Sequence, residues 1–156
     1  MDGFVSGSKD QASKGLTVIH SINPVEVTIR GSKALAISVV SIAARFEHDG
    51  AQFELTSWAR LVSRLEKIDT ADGTTTWKLL TLSCIYIRDG IQPVVPQCLS
   101  TTLNFDTVKA ARSSYRYLTW HILHLGLEVR DDLPGVDDEQ SVREVMDRDS
   151  KWIESN

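Results

Sequence analysis

Residues 17–50, TVIHSINPVEVTIRGSKALAISVVSIAARFEHDG, decide the fold. Val, Ile, Thr and Ala dominate them, and β-branched side chains fit a pleated surface better than the crowded surface of a helix. Gly31-Ser32 and His48-Asp49-Gly50 interrupt the run with turn chemistry. Between them, Lys33–Phe46 contains no Gly or Pro. Both of its faces are apolar, with Leu35, Ile37 and Val39 on one and Ala34, Ala36, Val40 and Ile42 on the other. A strand of this kind must be covered on both faces, or must curve through a bulge so that its two ends meet different layers.

The same composition continues outward. Thr17–Ile22 and Val25–Arg30 flank an Asn23-Pro24 turn signal, and Gln52–Ile68 and Thr76–Val95 flank Asp69–Thr75 with its Asp72-Gly73. The pattern predicts an antiparallel meander over 17–96. After Pro96 the period becomes helical. Val108, Ala111, Tyr115, Leu118, Ile122 and Leu125 form one stripe, with Asp106 as N-cap and Gly126 as the stop, which predicts a helix over about 106–126. Past Leu133-Pro134-Gly135, a capping box from Asp137 to Gln140 opens a last helix over about 138–155, with Val142, Val145, Met146, Trp152 and Ile153 as its apolar face. The order, strands first and then helices, gives an α+β class: residues 1–16 are an irregular segment and 17–156 a single domain.

The chain of 156 residues has 42% hydrophobic and 24% charged residues and a net charge of −4, the composition of one soluble domain. Cys84 and Cys98 are too few for a disulfide scaffold and lack metal-ligand spacing. With no apolar core of signal-peptide length and no membrane-length apolar run, the expectation is a cytoplasmic protein, neither secreted, membrane-bound nor zinc-stapled. Residues 128–156 carry ten acids against four bases, read as a solvated helix face. Lys and Arg nowhere cluster with aromatics, so nucleic acid is not an expected partner.

The segments VIHSINPVEVTIRGSKALAISVVSIAARF and SWARLVSRLEKIDTADGTTTWKLLTLSCIYIRDGIQPVVP carry a further signature. A His precedes Asn-Pro-Val-Glu-Val, an Ala-rich strand follows, and Arg60-x-x-x-Arg64 leads to Trp77-Lys78-Leu79 on the last long strand. In this order the residues resemble the SnoaL-like branch of the nuclear transport factor 2-like superfamily, over about residues 16–96. The resemblance implies a cone, a curved antiparallel sheet wrapped around helices and enclosing one apolar pocket. It also implies dimerisation through the sheet's outer face. Its catalytic relatives are scytalone-type dehydratases, polyketide cyclases, ketosteroid-isomerase-like enzymes and epoxide hydrolases, and fungal members serve secondary metabolism. Other relatives only bind ligands or dimerise, so fold alone does not choose an activity. Family members begin with some fifty residues of helices that cap the cone, whereas sixteen irregular residues precede the first strand here. The helices after Pro96, or a partner subunit, are then expected to supply the lid, unless the chain is a shortened form.

In the resemblance, His20 occupies the place of the His that abstracts or returns a proton, a task suited to an imidazole near neutral pH; the alternative is a His filling the cone wall. Arg60 beside Trp58 can hold an enolate or carboxylate. Arg64 instead reads as a structural partner for acids on adjacent strands. On the last strand Tyr86 can donate to a carbonyl oxygen, Ser83 and Asp89 are further substrate-binding candidates, and Asp89 also reads as a cap for the strand's end. Alternation puts Ser83 with Trp77, Leu79, Thr81 and Ile85, with Cys84 and Tyr86 facing the other way. His48 reads as solvent-facing in its turn. His121 and His124 share a helix face with Tyr117, without the third ligand that a metal needs. Neither a catalytic triad nor a phosphate loop is present. The expected activity is a cofactor-independent dehydratase, isomerase or cyclase acting on a small hydrophobic carbonyl or polyketide- or terpenoid-type metabolite, in a homodimer. A non-catalytic ligand-binding or dimerisation module is the alternative. The first reading needs His20 in an enclosed cavity beside an acidic or phenolic partner.

Overall fold

Four long strands account for most of the architecture. The computed structural model describes residues 17–96 and 102–155; the expected irregular segment 1–16 and Cys98 lie outside them. β1 (Thr17–Arg30), β2 (Lys33–His48), β3 (Ala51–Asp69) and β4 (Thr75–Pro93) pair in sequence order as an antiparallel meander. Three bends follow from the register. β1 and β2 slip between Pro24 and Glu26, and β3 and β4 slip at Trp58/Ala59 and at Arg64/Leu65. Asn23-Pro24 is therefore a bulge inside one strand and not a turn. A proline can sit there because β1 is an edge strand, where a missing N–H donor breaks no ladder.

The bulges in β4 reverse its alternation twice. Tyr86 pairs with Ala59 and Asp89 with Ser57, so Tyr86 and Asp89 share a face although they are three residues apart. Ser83, opposite Val62, and Ile85, opposite Arg60, lie on the other face, while Leu79 and Trp77, opposite Leu65 and Lys67, return to the first. Simple alternation had grouped Ser83 with Leu79 and Trp77. β3 keeps an unbroken register with β2, so Trp58, Arg60, Val62 and Arg64 share one face throughout.

A helix covers each face. α1 (Arg116–His124) lies against the Asp89 face and α2 (Glu139–Glu154) against the Arg64 face. Between them residues 134–136 run along the outer edge of β4: the Tyr86 N–H donates to the Pro134 carbonyl at 2.9 Å and the Val136 N–H to the Tyr86 carbonyl at 2.9 Å. The core under α2 contains Leu35, Val62, Ile85, Val145 and Ile153, with Val142, Met146 and Trp152 packed around it, as the apolar stripe of that helix predicts.

The expected helix over 106–126 is cut short. Its first half is a single 3-10 turn, Asp106–Val108, and an irregular stretch to Tyr115. Hydrogen bonds draw that stretch away from helical geometry. Arg112, Ser113 and the Ser114 hydroxyl and N–H all bond to the Asp137 carboxylate, an alternative that short polar side chains offer to the backbone. For the same reason Asp137 does not cap α2. Asp138 does, accepting from the Gln140 and Ser141 N–H groups, while the Gln140 side chain donates to Glu144. Gly126 ends α1 as expected. At a φ of 74° it lets its own N–H reach the Leu123 carbonyl and the Leu127 N–H reach that of Ile122.

Candidate functional site

The cross-strand row at the middle of the Asp89 face runs His20, Ile42, Ser57, Asp89 from β1 to β4. Ser57 sits on the same register as buried Phe53, Leu55 and Ala59. Its Oγ and the Asp89 Oδ1 are both buried and have no hydrogen-bond partner among the described residues. Each such group typically carries a desolvation penalty of about 1–3 kcal/mol, so these paired positions hold a buried acceptor and a buried hydroxyl with unused hydrogen-bonding capacity. The other Asp89 oxygen, Oδ2, accepts from the Leu118 N–H at 2.7 Å, in the first turn of α1. Asp89 thus caps a helix from the sheet and not the end of β4, which continues to Pro93. Burial raises the Asp89 carboxyl above the usual range; the Leu118 and Tyr117 N–H groups and Arg116 only partly oppose it. A carboxyl shifted upward is closer to the range where it both takes and returns protons.

Tyr86 stands one bulge from Asp89, its ring 5.2 Å from that of Tyr115. Burial, then the neighbouring Cys84, pushes its phenol well above its ordinary value, so the hydroxyl stays protonated. Burial likewise pushes the Cys84 thiol up to about 11, which leaves it no thiolate for nucleophilic chemistry. Beside them opens a cleft of about 610 Å³ at the β4 edge, lined by Ser83, Cys84, Tyr86, Arg130, Glu144 and Arg148 among others. The Ser83 Oγ accepts from Arg148 at 2.6 Å.

The structure brings Tyr86 and Asp89 together, and Ser83 into the cleft beside Tyr86. The remaining candidates lie elsewhere. Arg60 and Trp58 are on the opposite face, where the Arg88 guanidinium sits 4.5 Å over the Trp58 ring. His20 is exposed on edge strand β1. Three strand spacings of ~4.8 Å separate it from Asp89, roughly 14 Å. Arg64 is structural, but its partner is Asp149 on α2 and not an acid on a neighbouring strand.

The histidines also differ from expectation. His48 does not face solvent alone. Its Nδ1 lies 3.0 Å from His124 Nε2, and its ring meets Trp120 edge-on. His121 is buried against Phe46, Tyr117 meets Phe105, and His124 stacks on Trp120, and Phe105, Trp120 and Phe46 link all three into one aromatic cluster. Among the described residues no three metal-ligating side chains converge, and no helix is long and apolar enough to cross a membrane. Two residues not among the expected candidates stand beside them: Ser57, paired with Asp89, and Arg148, which lines the cleft. The one signal for Ser57 is a hydroxyl between the apolar Leu55 and Ala59 on its register of β3.

No protein-family model matches the chain. It is similar to Pea pathogenicity protein 2 of Fusarium vanettenii, with 27% identity over 135 residues, covering 85% of this chain and 55% of that protein. A PEP2-like protein of the same fungus is 26% identical over 135 residues with the same coverage. The chain spans about half the length of the curated relatives it matches.

Proposed function

We propose that this chain is a cofactor-independent proton-transfer enzyme of SnoaL-like type. On this reading it is a dehydratase, isomerase or cyclase acting on a small hydrophobic carbonyl or polyketide- or terpenoid-type metabolite, with a bent, cone-like sheet. One observation carries the proposal: a half-buried carboxyl, raised by desolvation, holds one unpartnered oxygen opposite an unpartnered serine hydroxyl. Asp89 takes the proton from carbon or returns it, and Ser57 donates to the substrate oxygen as charge develops there. Tyr86, held protonated on the same face, is a second donor. The role that the resemblance implies for His20 passes to Asp89, because His20 is exposed and lies three strands away.

Proton transfer at carbon can be read without knowing the product. Hydrophobic carbonyl compounds incubated with the protein in D2O should gain deuterium next to the carbonyl, measured by NMR. Asp89→Asn should slow this by about 10²–10⁴-fold. Ligands that bind without exchange, or exchange equal in both proteins, would replace this reading with that of a non-catalytic binding module.

A further inference from the structure

At the β4 edge the backbone of Pro134 and Val136 bonds to Tyr86 alone, so that edge is interrupted midway along the strand. Among the described residues no strand lies beyond β1. Six of its side chains, Val18, Ile19, Ile22, Val25, Val27 and Ile29, are between 37% and 66% exposed. An apolar edge strand of 14 residues is a template for another strand.

We propose that β1 pairs antiparallel with β1 of a second copy across a two-fold axis, joining two four-stranded sheets into one of eight strands. Three observations point to a second copy as the occupant. The first is apolar surface: paired edge to edge, the two copies set exposed Val and Ile side chains beside one another across the seam, where cross-strand neighbours cover part of each. The second is charge. β1 holds one acid, Glu26, and one base, Arg30, so self-pairing stacks no block of like charge.

The third is the bulge. Pairing β1 with itself over its full length sets Val18 opposite Ile29 and His20 opposite Val27, residues of opposite parity that an unbroken strand would put on opposite faces. Here the slip between Pro24 and Glu26 puts Val18, His20, Ile22, Val27 and Ile29 on one face, all opposite even-numbered residues of β2. The two-fold axis then passes beside Pro24, where both ladders are interrupted alike. The bulge that makes β1 irregular within one sheet makes it self-complementary between two, as an isologous contact requires.

Sedimentation and light scattering of the unmodified protein across a dilution series should give twice the chain mass. Val27→Lys with Ile29→Lys should give the chain mass at every concentration, while Leu123→Lys, at an exposed site on α1, should keep the dimer. If the double variant does not fold, hydrogen exchange on the unmodified protein decides the question: β1 amides not bonded to β2 should be protected, and should lose protection on dilution. A monomer at the highest concentration reached, a dimer indifferent to the folded double variant, or unprotected β1 amides would each overturn the proposal. None of these readouts uses a substrate, so they stand apart from the deuterium assay of Asp89.

Discussion

The ion cluster that fastens α2 to the sheet should respond to substitution in a way its geometry dictates. Asp149 is fully buried. Its Oδ1 accepts from Arg64 Nε at 2.8 Å and from a second Arg64 nitrogen, and Arg148 adds Nε at 3.0 Å and a bond to Oδ2 at 3.3 Å. The two cations differ in setting: the Arg64 side chain is 15% exposed and that of Arg148 53%. Arg64→Met removes the buried partner but leaves Arg148, so the loss should fall at the low end of the usual range for breaking a buried pair, about 3 kcal/mol. Arg148→Met, at a half-wet site, should lose about 1 kcal/mol or less. Together they strand a buried carboxylate, so the double variant should lose more than the sum, with a coupling of about 1–2 kcal/mol. In urea, with a slope of about 2 kcal/mol/M, Arg64→Met should lower the midpoint by about 1.5 M. Adding Asp149→Leu to Arg64→Met should recover most of the loss, because an apolar pair replaces an orphaned charge. A midpoint that moves by less than about 0.5 M in Arg64→Met would refute the reasoning.

Acid should loosen α1. Burial, and then the charge of neighbouring His124, lowers the pKa of His121 from 6.5. The folded state thus favours the neutral ring: this stabilisation is complete above the unfolded value and is lost as pH falls through it toward the folded one. Trp120 fluorescence should report the change below about pH 6, and an unchanged response in His121→Phe would assign it to another group. Gly135→Ala should destabilise by about 1–3 kcal/mol in thermal unfolding. A methyl there would overlap the Ser114 Oγ and lie 2.8 Å from the Asp137 Oδ1, forcing apart the contacts that shape the 109–115 segment. A melting temperature equal to that of the unmodified protein would show that the segment relaxes without loss.

The meander is legible because its strands announce themselves in composition and its three connections in turn residues, although Asn23-Pro24 carries the same chemistry inside a strand. In β3 alternation and face agree along the strand, since its register with β2 never slips. In β4 they do not. A bulge deletes the link between parity and face, and nothing in the local sequence TLSCIYIRDG marks Ile87 as the residue left out of the ladder. The fate of 106–115 was hidden for a different reason. Its apolar spacing is helical, but Arg112, Ser113 and Ser114 meet an aspartate more than twenty residues away, and a tertiary contact of that length leaves no local trace. The site followed the same division. Tyr86 and Asp89 were singled out one by one, while their presence on one face depended on the bulge.

On the proposed function Asp89 has two roles whose energetics oppose each other, and this separates them experimentally. As a cap, its Oδ2 holds the Leu118 N–H, and an ionised carboxylate at a helix N-terminus is favourable. As a desolvated acid its pKa is raised, so the folded state prefers it neutral and the ionised form destabilises the fold at neutral pH, a penalty relieved as pH falls through the folded value. Asn at this position keeps an oxygen for Leu118 and carries no charge. If capping by the charge were dominant, Asp89→Asn would lower stability at neutral pH. If desolvation dominates, as the direction of the shift requires, Asp89→Asn should be as stable as the unmodified protein or more so, while deuterium exchange collapses. Asp89→Ala, which also removes the cap, should lose both. A residue that lowers stability in return for a reactive group marks a functional site, whereas a structural cap would be improved by its own charge.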